Sequence, residues 1–229
     1  MASFFYNFIA VFIFITLSLP INVNAQEFKP TEEQIQKIKK AEQYLNNIKT
    51  LSSEFIQVSP YNSEGDSPTS FSNGKMYLSR PGKARWEYTN PVPQIIIVKD
   101  KQLIYYDKEL EQVSYLELDG GLSTFLTNEK IDFFSSNFNI ISFLEDDGGF
   151  SFVIEEKKSD EENKNLNEQL RLVFYNDPMS ILRFSFKDVN GRVTTVEFKQ
   201  PTLDIAIDDE LFIFKNPKIG KDAWDTRKN

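Results

Sequence analysis

Two periodicities divide the chain. Ile35, Ile38, Ala41, Leu45 and Ile48 recur at helical spacing behind the capping-box signature Thr31-Glu32-Glu33-Gln34, so one amphipathic helix is predicted over 31–48. Its apolar stripe needs a surface to cover. After Leu51 the period falls to two. Strands are predicted over 52–58, 71–79, 84–89, 94–99, 102–107 and 111–118, rich in β-branched and aromatic residues and separated by Pro, Gly, Asn and Asp. Short links between consecutive strands predict an antiparallel meander. Between 120 and 144 the pattern is mixed. Leu122, Phe125 and Leu126 predict a short helix, Ile131, Phe133 and Phe134 a second one, and 138–144 a strand, together an insertion lying over the sheet. Strands resume over 149–157, 169–176, 180–188 and 192–200, with turns at Asn176-Asp177-Pro178 and Asn190-Gly191. The polar run 156–168 predicts a solvated loop, and 210–215 a last short strand. No internal repeat or second domain is legible.

The first 25 residues carry no charged side chain, and Phe4 to Leu19 is a nearly unbroken apolar run ending ahead of the small residues around Ala25. A membrane helix needs roughly 20 apolar residues, so the run is short for a permanent anchor and predicts a signal peptide over 1–25. No Lys or Arg precedes the apolar core, which is atypical of such peptides. Residues 26–229 then form a single domain. The chain has no cysteine, which removes disulfides, a thiol nucleophile and a lipid-modified cysteine, and no histidine, which removes Ser-His-Asp triads and Cys/His zinc sites. A net charge of −8 argues against nucleic acid as a partner.

The densest local signal is Arg80-Pro81-Gly82-Lys83-Ala84-Arg85-Trp86-Glu87-Tyr88. It reads as a strand end, a tight reversal on Pro-Gly, and a second strand. A two-residue turn pairs Tyr77 with Trp86; a three-residue turn brings Met76 or Leu78 beside Trp86 instead. Either way Trp86 and Tyr88 are expected to face inward, with Arg85 and Glu87 toward solvent. Arg80 sits at the rim of an aromatic-rich sheet.

This stretch and its surroundings resemble the outer-membrane lipoprotein carrier family, LolA, of Gram-negative bacteria. The matching pieces, in order, are Phe55-Ile56-Gln57, Gly74-x-Met76-x-Leu78-x-Arg80-Pro81-Gly82, Arg85-Trp86-x-Tyr88, Ile97-Val98-x-Asp100, Leu103-x-Tyr105-Tyr106-Asp107 and Glu111-Gln112-Val113, with looser matches at Asp188-x-Asn190-Gly191 and Phe212-x-Phe214. The resemblance implies an α+β, mainly β fold: an incomplete antiparallel β-barrel, one strongly curved sheet, covered by a lid of short α-helices with an N-terminal amphipathic helix. It implies a hollow between sheet and lid that takes acyl chains. Phe55, Tyr77, Trp86, Tyr88, Ile97, Tyr105 and Phe174 are the candidate lining residues, although ordinary core packing accounts for any one of them taken singly. Leu122, Phe125 and Leu126 are the candidate lid residues. Arg80 is the candidate latch, its guanidinium bonding carbonyls at the ends of the lid helices, as the matching arginine does in the resembled family.

The implied activity is non-enzymatic and needs no cofactor or metal. A periplasmic monomer would take lipoproteins from an inner-membrane ABC-type releasing complex and pass them to an outer-membrane lipoprotein receptor. Two rivals remain. One is a lipid-binding or envelope-stress sensor module of the same fold. The other is a carboxylate-based hydrolase, for which Asp146-Asp147 and Asp208-Asp209-Glu210 are the acidic clusters on offer, although solvated loop positions explain these better. Gln57, Glu111 and Gln112 match the family's polar positions and read as hydrogen bonds at strand ends.

Overall fold

A computed structural model describes residues 28–60, 69–118, 121–157 and 167–216. The expected signal peptide and most of the polar loop at 156–168 lie outside the described residues. Helix α1, Glu32–Asn47, begins at a complete capping box: Thr31 accepts from the Gln34 amide and the Gln34 side chain accepts from the Thr31 amide. Ile38, Ala41, Leu45 and Ile48 form its buried face.

Eleven strands follow, all antiparallel in one sheet: β1 Thr50–Pro60, β2 Thr69–Ser79, β3 Lys83–Asn90, β4 Gln94–Lys99, β5 Gln102–Asp107, β6 Gln112–Glu117, β7 Phe138–Glu145, β8 Gly149–Glu156, β9 Gln169–Asn176, β10 Met179–Lys187 and β11 Val193–Leu203. The order is β6-β5-β4-β3-β2-β1-β11-β10-β9-β8-β7. Two meanders are thus joined where the first strand pairs with the last, and β6 and β7 are left as the two edges of an unclosed barrel. Bulges in β1, β2–β3, β7 and β10 add local twist, which lets so wide a sheet curve. At Gly74 a Cβ would lie 1.9 Å from the Glu87 carbonyl oxygen, so only glycine admits β3 there.

Alternation gives the sheet an inner and an outer face. The inner face carries the main core, including Leu51, Phe55, Met76, Leu78, Tyr88, Val98, Phe150, Phe152, Leu172, Phe174, Val196 and Phe198, under α1 and the β6–β7 connection. In that connection Gly121–Thr127 forms a 3-10 helix, as Leu122, Phe125 and Leu126 predict. The second predicted helix, at 131–134, does not form. Its backbone is held instead by α1 side chains: Asn46 Nδ2 donates to the Ile131 carbonyl at 2.9 Å, the Ile131 amide donates to Asn46 Oδ1 at 2.8 Å, and the Phe133 amide donates to Glu42 Oε2 at 2.8 Å. These bonds replace the internal ones that so short a segment cannot nucleate alone.

The expected strand at 210–215 is likewise absent. Asp208 caps a 3-10 turn, Asp209–Phe212, which crosses the outer face of β3 and β4. Phe212 is buried there, and the Phe214 ring lies 5.3 Å from that of Tyr106. Arg85 is therefore not left to solvent: its Nη1 donates to the Leu211 carbonyl at 2.9 Å and its Nε to Glu87 at 2.6 Å. The hairpin at Asn190-Gly191 is wider than a two-residue turn. Asp188 accepts from the Asn190 and Arg192 amides, and only Gly191 takes a positive φ, of 80°. No helix among the described residues is long and apolar enough to cross a membrane.

Candidate functional site

Arg80 opens the β2–β3 reversal. Ser79 pairs with Lys83, so the turn has three residues, Arg80-Pro81-Gly82, with Gly82 at φ 80°. The Arg80 amide donates to the Lys49 carbonyl at 2.9 Å and the Gly82 amide to that of Thr127 at 2.8 Å, which seats the turn against the end of α1 and the end of the 3-10 helix. The guanidinium then bridges the two. Its Nε donates to the Leu126 carbonyl at 2.8 Å and its Nη1 to the Leu45 carbonyl. Leu45 lies in the last turn of α1, which has no basic residue of its own, so the positive charge favoured at a helix C-terminus comes from the sheet. Burial pulls the guanidinium down to about 10, which still leaves it charged at neutral pH.

The elements expected as the lid, α1 and 121–134, are joined by the hydrogen bonds of Asn46 and Glu42. At the other end of α1 Lys37 bridges Glu145 of β7 at 2.6 Å and Glu33 at 2.9 Å. Tyr44 sets its ring edge-on to Phe174, centroids 6.3 Å apart, and hydrogen-bonds the Ile181 backbone. Leu122 and Phe125 are buried in the main core and Leu126 packs at its margin.

The inner face beneath is filled. Phe55 meets Trp86 and Tyr88 edge-on at 4.9 and 5.0 Å. Phe133 of the lid meets Phe152 at 4.9 Å and stacks on Phe125 at 5.6 Å, while Phe174 stacks on Phe150 and Phe152 at 5.5 and 6.0 Å. Phe55, Phe133, Phe152 and Phe174 are each 1 % exposed or less. The expected standing hollow is therefore corrected: the protein's own rings pack between the sheet and the elements that cover it. Farther from the lid Trp86, Ile96, Leu103, Tyr105, Phe184 and Phe186 are only half-buried.

Two candidate lining residues are elsewhere. The three-residue turn pairs Met76, not Tyr77, with Trp86, and this register sends Tyr77 to the outer face beside Arg85. Ile97 pairs with Arg85 and so also lies outside, fully buried where the C-terminal turn covers β3 and β4. Phe55, Trp86, Tyr88, Tyr105 and Phe174 share the inner face. Glu42, Asn46 and Phe152 belong to the site although nothing in their local pattern marks them; only the packing of α1 and 131–134 on the sheet does. Burial, and after it the nearby Tyr105, pushes the Tyr88 hydroxyl up to about 12. Concavities of about 830, 580 and 420 Å³ lie along β1–β3 and β7–β11, with polar and charged residues such as Glu54, Lys75, Arg171, Glu197 and Lys199 in their linings beside Phe198, Phe55 and Phe174.

The acidic clusters have structural tasks. Asp146 accepts from the Gly148 and Gly149 amides, Asp208 caps the C-terminal turn, and Asp209 pairs with Lys83 at 2.7 Å. Among the described residues no group of Asp and Glu gathers as a metal site would require.

The profile of one family, described as outer membrane lipoprotein carrier protein LolA, matches residues 46–215. The outer-membrane lipoprotein carrier protein of Legionella pneumophila strain Corby is 28% identical over 178 residues, 76% of this chain and 83% of that relative. The protein of the same name from Methylococcus capsulatus is 41% identical over 71 residues, 31% of this chain, and the match spans only 33% of that relative. A LolA superfamily protein from Nitrosomonas europaea, solved by crystallography, aligns over 77% of this chain and 97% of its own at 11% identity, with a TM-score of 0.42.

Proposed function

The chain belongs to the LolA family, and from that premise we propose that it is a periplasmic carrier which shelters the acyl chains of lipoproteins between lid and sheet. The observation that carries this reading is the pair of hydrogen bonds that Arg80 donates to the Leu45 and Leu126 carbonyls. One side chain of the sheet holds both halves of a lid whose underside is apolar. Burying acyl chains releases about 0.8 kcal/mol per methylene, so cargo could bind far too tightly to leave. A lid that closes on its own aromatic rings in the empty state competes with cargo and lowers the net affinity. The closed packing thus serves the carrier as the resting half of a cycle.

In this reading residues 1–25 direct export and are removed. An inner-membrane ATP-driven complex loads the carrier, an outer-membrane receptor unloads it, and the chain itself performs no covalent chemistry. Depletion of the protein, followed by localisation of lipoproteins, tests this. Accumulation in the inner membrane supports it; unchanged outer-membrane delivery refutes it.

A further inference from the structure

The inner face is not apolar along its whole length. At the lid end the inward residues are Leu51, Leu78 and Leu203, and midway they are aromatic. At the opposite end β1 turns Gln57 and Ser59 inward, β2 turns Ser70 and Ser72, and β11 turns Thr194. From Leu51 to Ser59 the face thus grades from aliphatic to hydroxyl and amide over roughly 25 Å, at about 3.3 Å per residue. None of these end residues carries a charge.

They form a directed hydrogen-bond chain. The Tyr88 hydroxyl donates to Gln57 Oε1 at 2.8 Å, which takes up the amide oxygen and turns the NH2 away from it. Gln57 Nε2 donates to Ser59 Oγ at 3.2 Å, and Ser59 Oγ donates to Thr194 Oγ1 at 3.3 Å. Every proton runs the same way, so the chain ends in surplus donors. Thr194 keeps its own hydroxyl proton and Gln57 has a second N–H, and neither donates to an acceptor among the described residues. Polar groups half-buried beside Phe184 and Phe186 bear a cost unless a partner satisfies them.

We propose that Gln57, Ser59 and Thr194 form a polar subsite that receives the carbonyl oxygens where acyl chains join the head of the cargo. The inference rests on the carrier reading and adds an orientation to it, with tails toward α1 and the head toward Thr194. An ester or amide carbonyl supplies acceptors and no charge, matching uncharged surplus donors on an apolar wall. A phosphate head would meet no cation in this set.

The test compares two synthetic lipopeptides, identical except that two palmitoyl chains on an N-terminal glyceryl-cysteine are ester-linked in one and replaced by ether-linked alkyl chains in the other. The full chain should bind the ester form about fivefold to tenfold more tightly, the effect of one or two neutral hydrogen bonds. Thr194→Val, close to isosteric and suited to a strand, should weaken the ester form more than the ether form and so shrink that ratio. Equal binding of both forms by the unaltered protein overturns the subsite and leaves the carrier reading standing. Binding of neither form overturns both.

Discussion

The Nε of Arg80 lies 2.8 Å from the carbonyl oxygen of Leu126, a residue 46 positions later in the connection that follows edge strand β6. With its second bond to Leu45, the side chain ties the 3-10 helix and α1 to one rigid turn. A planar fork with five donors suits this; an ammonium would satisfy two separated carbonyls less well. In Arg80→Leu the empty lid loses charge-assisted bonds, while the apolar replacement recovers some burial, for a net loss of about 1–3 kcal/mol. Because lid closure opposes cargo, the variant should bind an acylated peptide about tenfold more tightly and release it correspondingly more slowly. Stopped-flow dissociation checks this, and an unchanged rate would remove the latch.

Asn46 makes a reciprocal pair with the Ile131 backbone, one bond in each direction. Asn46→Ala strands a half-buried donor and acceptor at a cost of about 1–3 kcal/mol. The loss should be local. Amides of 131–134 should exchange with deuterium much faster while those of α1 change little. Equal acceleration throughout α1 would show that helix and connection open together as one unit.

Phe212 tests the separation of the two faces. It is 1 % exposed, on the outer side with Ile97, whereas the acyl chains are proposed to lie inside. Phe212→Ala should cost about 3–5 kcal/mol in denaturant unfolding. Affinity for an acylated peptide, measured where the variant is folded, should stay within a factor of two. A selective loss of binding would mean that the C-terminal turn participates in cargo capture.

What the sequence revealed follows how locally each element is determined. α1 was legible because its capping box and its stripe both lie within the helix, and the meander was legible because each strand alternates over five or more residues between clear breakers. Where several residues must come together from elsewhere, local signals gave out. Residues 131–134 have a helical spacing of apolar side chains, but Asn46 and Glu42 take their backbone bonds. Phe212 and Phe214 alternate like a strand, yet the segment packs its rings on the outer face of the sheet rather than pairing with an edge. Tyr77 shows the narrowest failure. One residue in the Arg80-Pro81-Gly82 turn decides which face it takes, and Pro-Gly is compatible with both lengths. The filled inner face was beyond reach for another reason: apolar positions look alike whether they meet each other or a ligand.

The far end of the lid offers a pH-dependent test. Lys37 is held above its ordinary value of 10.5, chiefly by its hydrogen bond to Glu145 and then by that to Glu33. Glu33 is held below its ordinary 4.5 by the same lysine, through the hydrogen bond first and the charge second. A base raised on folding contributes stability that is complete below its unfolded value and fades as pH climbs through the folded one. An acid lowered on folding contributes stability that is complete above its unfolded value and fades as pH drops through the folded one. The cluster should therefore support α1 between about pH 4.5 and 10.5 and weaken on both sides. The melting temperature of the protein minus that of Lys37→Met, plotted against pH, should be a plateau with falling shoulders. These groups are exposed, so the plateau should be only a few degrees high and shrink in 1 M salt, where the screening length is about 3 Å. A difference that is flat from pH 3 to 11, or indifferent to salt, would mean that Lys37 supports the helix by packing its stem rather than through its charge.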